Sequence, residues 1–508
     1  MAAGEDETGT RYDVALDVEL PSLAGVPRAA RVTGPTTYDV EATFVDTPEL
    51  ALTLAGVTLR RRTGGPDEGW RLGLPTARGR FEVPAPLDES GDAAPESLRL
   101  AVALFLRGGE LEPLAVLRAR TAVHEVLDSR GRVLAEVRDE HLTAQTTAVL
   151  GEEPAPRAWR AWEIRLVGGD LDVLSAVSEL MEDAGATSAA SGSTLRRALG
   201  DRTRGEPAPL EVGPDSSAHE VVRAHLVHLV RELRTLDPLV RVDAPDSVHQ
   251  MRVLARRLRS TLATYRPLLD AEVTDPMRQE LAWVAGVLGE ARDAEVLRRR
   301  LLRQLDEEPP ELVRGTIRTF VDRDLEERYR EDHDRCVEAL SSGRYLALVE
   351  RLTAASASPP WTPGTADAGQ GLLHERLRHA YKRVRRRVDA LPGAHDEQDH
   401  ARRLHEVRKA AKRLRYSLEP LVPVAGRPAA RLEKDMKRVQ SVLGDHQDST
   451  VTRVELRSLS DRATSAGVNA FALGLLDARQ EAQAARDQGR FATAWERASR
   501  KKHRRWLS

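Results

Sequence analysis

Two stretches of this chain repeat one another. Residues 249–259 read HQMRVLARRLR, and residues 405–415 read HEVRKAAKRLR. A second block follows each at nearly the same offset: VLGEARD at 287–293 and VLGDHQD at 442–448. An internal duplication constrains the architecture more than any other feature, because both copies are expected to form the same unit. At about 100° per residue, His249, Arg252, Arg256, Arg257 and Arg259 fall on one side of a helix, opposite Met251, Leu254, Leu258 and Leu262. In the second copy His405, Arg408, Lys412, Arg413 and Arg415 take the basic side, with Lys409 in the same run, and Val407, Leu414 and Leu418 the apolar one. A basic helix face is ordinarily just a solvated face. Here it occurs twice, neither stretch holds an Asp, and only Glu406 interrupts the run. Crowded guanidinium groups without acidic partners repel each other, so the duplicated face points to an anionic ligand.

The whole-chain charge does not announce such a ligand. The 508 residues include 77 basic and 79 acidic side chains, for a formal net charge of −2. A polyanion partner must therefore be read from local clusters. This length predicts two or three domains. Aromatic residues make up only 4%, which argues against a base-stacking surface for single-stranded nucleic acid. The single cysteine, Cys336, excludes an intrachain disulfide and a cysteine-built zinc site, and suits a reducing cytoplasm. The N-terminal MAAGEDETGT is acidic and lacks the apolar core of a signal peptide. No uninterrupted apolar run is long enough to span a bilayer, so no membrane partner is expected.

Along the chain, the first 200 residues alternate polar and apolar in short runs. These lie at 37–46, 56–62, 69–74, 115–127, 132–138 and 159–167, separated by turn signals such as GGPDEG (64–69) and DSRGR (128–132). A helix is predicted over 171–184. The expected division is a β-domain over 1–203, a linker over 204–217 and a helical region over 218–508. A break, SASPPWTPGTADAGQG at 356–371, splits the helical region into repeats at about 218–355 and 372–508. In the β-domain, Arg60 and Arg62 share a face, as do Arg118 and Arg120, Glu136 and Arg138, and Glu163 and Arg165. Such faces are either the wet side of a half-buried sheet or the lining of a barrel in which arginines cradle phosphates.

Residues 1 to about 200 resemble a CYTH domain, the triphosphate tunnel metalloenzyme fold. RYDV (11–14), VDTPELALTLAGVTLRRRTGG (45–65), GWRLGLP (69–75), VLAEVRDE (133–140), WEIRL (162–166) and RRALGDR (196–202) carry the resemblance. Residues 218–508 resemble a CHAD domain, a conserved-histidine α-helical domain. Its matching stretches are VHQMRVLARRLRS, LGEARDAEVL, LHEVRKAAKRLRYSLEPL and the helix around Lys434, Lys437 and Arg438. The resemblances imply an α+β multidomain chain: an antiparallel β-barrel or tunnel, then a duplicated all-α bundle whose basic helices meet at a central groove. They also imply inorganic polyphosphate as partner, held by the duplicated helices together with Lys434, Lys437 and Arg438, and Arg11, Arg60, Arg62, Arg118 and Arg120 as tunnel phosphate contacts. Asp293 and Asp448 are expected to orient arginines.

The resemblance also implies a divalent metal, Mg or Mn, if the tunnel is active, with Glu7, Glu136 and Glu163 as its ligands. The family motif ExExK is here ETGTR (7–11), so Gly9 stands where a second metal-binding Glu is expected. Gly73 and Thr194 replace expected lysines, and Arg165 replaces an inward acid. Metal-assisted hydrolysis needs carboxylates to hold a hard cation. The expectation is a degenerate tunnel without certain cofactor or catalytic residue. Three functions follow: a polyphosphate-binding protein, cytoplasmic and associated with polyphosphate granules; a metal-dependent triphosphatase or polyphosphatase; and, ranked last, a nucleic-acid-binding protein, for which neither a helix-turn-helix nor an RNA-binding signature is present.

Overall fold

The computed structural model describes residues 9–77, 79–87, 93–147, 156–189, 194–200, 210–365 and 369–507. They form two compact units, Met1–Ala208 and Pro209–Ser508.

The first unit is built on β1 (Gly9–Val14), β2 (Arg31–Val32), β3 (Thr36–Asp46), β4 (Thr58–Thr63), β5 (Gly69–Thr76), β6 (Gly79–Ala85), β7 (Glu112–Leu127), β8 (Val133–Thr146), β9 (Arg157–Leu166) and β10 (Thr187–Ser188). They pair antiparallel in the order β10-β1-β9-β8-β7-β3-β4-β5-β6, with β2 added to β7. The turns form where the punctuation predicts. Gly64 and Gly65 hold φ of 75° and 77° between β4 and β5, and a Cβ on Gly64 would meet the Asp39 carbonyl at 2.4 Å. Asp128 Oδ1 accepts from the Arg130 and Arg132 amides to close the β7–β8 turn. Strand β6 was not among the expected runs, because Gly79 and Pro84 weaken its pattern. It lies at the sheet edge, where a proline costs no ladder hydrogen bond.

The sheet has two unlike faces. On one, Tyr12, Val137, Trp162 and Ile164 are buried against α1 (Leu171–Asp183) through Val173, Val177 and Met181. On the other, Ala42, Phe44, Leu117, Leu142, Trp159 and Ala161 pack on α2 (Thr194–Leu199) through Leu195, Ala198 and Leu199. Arg197 of α2 pairs with Asp13 of β1, while Arg196 of α2 disfavours the charge on Arg80 of β6. Burial pushes the Arg80 guanidinium below its ordinary range, and Arg60 pushes the same way.

The second unit is helical. Its first half holds α3 (Ala218–Arg241), α4 (Ser247–Thr264), α5 (Ala271–Asp306), α6 (Ile317–Ser341) and α7 (Gly343–Ala357). Its second half holds α8 (Gln370–Asp389), α9 (Glu397–Leu418), α10 (Arg427–Ser465) and α11 (Phe471–Ala498). The repeated basic stretches lie on α4 and α9, and the repeated glycine blocks on α5 and α10. Ser217 and Glu220 close a capping box at the start of α3; Asp270 and Asp396 cap α5 and α9. The apolar faces read from periodicity are buried: Met251, Leu254, Leu258 and Leu262 on α4, Val407, Leu414 and Leu418 on α9.

One buried ion pair stiffens the first half. Arg241 Nε donates to Asp237 Oδ1 at 2.8 Å, with both side chains almost wholly excluded from solvent. The same guanidinium donates to the Leu340 carbonyl and to Ser341 Oγ, tying α3 to the end of α6. Removing the carboxylate strands a buried cation. We therefore expect Asp237→Ala to destabilise the protein by roughly 3–5 kcal/mol. Chemical denaturation reads this directly; a loss below about 1 kcal/mol would contradict it.

Candidate functional site

The duplicated helices meet each other at their C-terminal ends. Thr264 Oγ1 and Ser417 Oγ share a buried hydrogen bond of 2.7 Å, and the Tyr265 hydroxyl donates to the Ser417 carbonyl at 2.8 Å. Arg413 donates to the Ala263 carbonyl at 3.1 Å. Beside this junction, α4, α9 and the start of α5 enclose a cleft of about 700 Å³. Seven cationic side chains line it: Arg256 and Arg259 from α4, Arg278 from α5, and Arg408, Lys409, Lys412 and Arg413 from α9. His405, Gln279, Ser260 and Tyr416 complete the polar wall, and Asp275 is the one carboxylate among the lining residues. Asp275 is committed to Arg278 at 2.5 Å and to Arg266 at 3.0 Å.

The cations crowd one another. Burial brings the Lys412 ammonium down to about 7, and Arg256, Arg408, Arg252 and Arg415 push the same way. Burial also lowers Arg256, helped by Arg252 and Arg408 and opposed by Tyr416 and Asp293. Arg413 is lowered by burial and then by Arg383, Arg278 and Arg259. The Nε groups of Arg252, Arg256 and Arg408 are buried without a hydrogen-bond partner. Donors left unmade in this way are costly unless something outside the chain satisfies them.

The second repeated block explains how these arginines are held. A Cβ on Gly289 would meet the Arg252 guanidinium at 3.1 Å, and one on Gly444 would meet that of Arg408 at 3.5 Å. In each half the motif arginine lies against the glycine of the neighbouring helix, and in the first half the fit is tight enough to need the missing side chain. Arg252 then donates to Asp293 at 2.6 Å. Asp448 feels Arg408 as its largest charge partner, although burial still raises its carboxyl. Asp293 thus holds Arg252 directly, and Asp448 lies within electrostatic reach of Arg408. The histidines differ between halves. His249 is held below its usual value by burial and by Arg292, which Asp246 and Glu295 anchor. His405 instead donates from Nδ1 to Gln447 Oε1 at 3.1 Å.

Several expected residues stand elsewhere. Arg257 does not share the cleft face: it turns away to Glu419 at 2.7 Å and Glu232 at 3.0 Å. Arg415 lies over the Tyr416 ring at 4.5 Å and reaches Glu433 at 3.5 Å. The acidic partners missing from the motif itself therefore come from other helices, a correction that no reading of the motif alone provides. His249 and Arg252 do not line this cleft, nor do Lys434, Lys437 and Arg438, which are exposed on α10. Arg278 and Tyr416 were missed. The repeat carried the signal for the first, since mapping Lys434 through the glycine blocks lands on Gln279, next to Arg278. The α8 run KRVRRRV (382–388), which reaches Arg413 through Arg383, was also missed because the first half has no counterpart to it.

In the β-unit the register sorts the expected tunnel residues. Arg11 pairs with Glu163, Arg165 with Glu136, and Arg138 with Glu163 across the strands, all on the face that α2 covers. Arg60 and Arg62 stand opposite Phe44 and Ala42 on that same face. Arg118 and Arg120 do not: they stand opposite Glu41 and Asp39 on the other face and are exposed. The period-2 pattern places them together but not with the other three. Glu7 lies outside the described residues. The inner charges neutralise each other, with Arg11 on Glu140 at 2.6 Å, Arg60 on Glu82 at 3.1 Å, Arg62 on Asp67 at 3.6 Å, and Glu136 on Arg138 and Arg165 at 3.1 and 3.5 Å. Arg138 also lies 4.0 Å from Glu163. A divalent cation fits this arrangement poorly, because guanidinium groups already occupy both acids. Among the described residues no cluster of three or more His, Cys, Asp or Glu side chains suits a metal. No helix among them is long and apolar enough to cross a membrane.

Fold and site together define a class: an antiparallel β-domain joined to a duplicated helical domain with a cationic cleft between its repeats. Residues 224–457 match the family model described as CHAD domain. Two uncharacterized proteins from two strains of Mycobacterium tuberculosis are each 37% identical to this chain over 484 residues, 92% of either chain. The chain belongs to the family of these two proteins, and its helical unit carries the CHAD match. Among solved structures, PptA from Streptomyces chartreusis aligns with a TM-score of 0.47 at 23% identity, covering 55% of this chain and all of that one. A putative adenylate cyclase from Bacillus halodurans aligns with a TM-score of 0.24 at 13% identity, over 39% of this chain and 98% of that one.

Proposed function

We propose that the helical domain binds inorganic polyphosphate in the cleft between α4 and α9, and that the β-domain has lost metal-dependent hydrolysis. The observation that carries the first part is the convergence of Arg256 and Arg408, whose Nε donors are buried and unsatisfied, with Lys412 under like-charge crowding. An anion entering the cleft satisfies those donors and relieves the repulsion, and each released counterion adds to the driving force. A thin flexible chain of phosphates can follow side chains into a cleft of about 700 Å³. A stiff duplex cannot, and few aromatics stand ready to stack single-stranded bases. The second part is supported by the arginines that occupy Glu136 and Glu163. On this reading the β-domain retains an ion-paired inner face, and the long polymer carries the protein to polyphosphate granules.

The test is binding of long-chain polyphosphate to the full chain across a salt series, with duplex DNA as competitor. Affinity should fall steeply and linearly on a log–log plot, and DNA should fail to displace the polymer. Equal competition by DNA would reduce the cleft to generic charge. Robust triphosphate turnover with Mg or Mn would overturn the proposed loss of hydrolysis.

A further inference from the structure

The cleft does not end where α9 ends its lining. Helix α8 packs antiparallel beside α9, and a single carboxylate joins them: Glu406 pairs with Arg387 of α8 at 3.3 Å and also with Lys409, a cleft residue. One turn earlier on α8, Arg383 lies on the same flank as Arg387 and acts electrostatically on Arg413, another cleft residue. The buried stripe of α8 is Leu373, Leu377, Tyr381 and Val384. Relative to that stripe, Arg383 and Arg387 fall on the flank facing α9, whereas Arg385 falls on the other flank, beside Asp389 at 3.6 Å. Arg383 is exposed and has no ion pair among the described residues. Cationic side chains thus continue from the cleft, over Arg413 and Lys409, onto α8, with Glu406 bridging Lys409 and Arg387 along the way.

The other mouth of the junction is different. There Arg257 and Arg415 are taken up by Glu232, Glu419 and Glu433. By the repeat, these two positions correspond to Arg413 and Arg259, both of which line the open side. The halves share a motif, but on the α8 side one carboxylate, Glu406, is shared between Arg387 and Lys409, and Arg383 has no ion pair among the described residues.

Resting on the polyphosphate reading above, we propose that Arg383 and Arg387 of α8 form an outer subsite that holds phosphate units emerging from the cleft, so that the protein prefers long chains to short ones. A short anion fills the cleft and makes no contact with α8. A long chain leaves by the open side and follows the ridge, gaining further guanidinium contacts and releasing further counterions.

The test compares the full-length protein with the double variant Arg383→Gln and Arg387→Gln against two probes, tripolyphosphate and long-chain polyphosphate, each across a salt series. The variant should bind the long polymer about tenfold more weakly, with a salt slope shallower by about one to two, and tripolyphosphate within about twofold of the original protein. Arg385→Gln, on the opposite flank, should leave both affinities unchanged. Equal weakening for both probes would overturn the proposal, because Arg383 and Arg387 would then act on the cleft itself. No weakening for either would overturn it as well, leaving α8 a solvated ridge. Failure of the unmodified protein to bind either probe would sink the polyphosphate reading instead, which keeps the two failures apart.

Discussion

Reversing the charge of both motif arginines, Arg252→Glu with Arg408→Glu, is expected to weaken polyphosphate binding by at least about a hundredfold. Arg408 lines the cleft as a charge-assisted donor whose loss costs about 1.5–3 kcal/mol; Arg252, held by Asp293 outside the lining, adds to the positive field at Arg256 and Lys412, and a carboxylate at either place adds repulsion toward phosphate. The two are pseudo-equivalent. Each lies over a glycine of the second repeated block, and each stands beside that block's aspartate. The milder Arg252→Gln and Arg408→Gln pair separates electrostatics from packing and should cost roughly tenfold or more. Circular dichroism and thermal unfolding check that the helices persist. A folded charge-reversal variant that binds normally would remove the cleft from the mechanism. Replacement of Gly289 should act through Arg252, since a Cβ there already crowds the guanidinium group, whereas a Cβ on Gly444 would make only ordinary contact with Arg408.

The second large effect is a pH dependence carried by Lys412. Its ammonium is brought down to about 7 by burial and by Arg256, Arg408, Arg252 and Arg415. The Tyr416 ring lies 6.0 Å from the ammonium. In the free protein, Lys412 is half deprotonated near neutral pH. A bound polyanion favours the charged form, so binding takes up a proton. Affinity should then fall by roughly tenfold between about pH 6 and pH 8.5. The sign for folding is opposite. The unfolded chain holds this proton up to its ordinary lysine value, so the depressed group destabilises the free protein below about pH 7. That cost fades as pH rises from 7 toward 10.5. Calorimetry in two buffers of different ionisation enthalpy measures the proton uptake. Lys412→Met should abolish most of it and flatten the pH profile. An unchanged profile in that variant would assign the titration to another group.

The halves of the site were legible to different degrees. The repeated basic stretches and their apolar backs could be read from periodicity, because a helix buried on one side must space its apolar residues at three and four. Burial of Met251, Leu254 and Leu258 follows from that rule alone. The role of the second block was only half visible. Asp293 could be suspected of orienting an arginine, but Gly289 and Gly444 acquire meaning only when α5 and α10 lie against α4 and α9. Arg257 shows the limit most plainly. Its place in the motif suggested a ligand contact, yet Glu232 and Glu419 arrive from 25 and 162 residues away to claim it. In the β-domain, alternation put Arg118 with Arg120 and Arg60 with Arg62, but alternation says nothing about which face of one strand shares a side with which face of the next. That depends on register, and the register of β3 against β7 sends Arg118 and Arg120 outward.

Local periodicity and the internal repeat, then, determined the helical and strand segments, the duplication and the basic faces, since these depend on neighbours within a few residues. Tertiary structure alone decided which cations stay unpaired, because compensation depends on carboxylates brought from distant parts of the chain. It also made the two sides of the repeat unequal, leaving one open and basic where Arg259, Arg278 and Arg413 converge, and the other neutralised by Glu419 and Glu433.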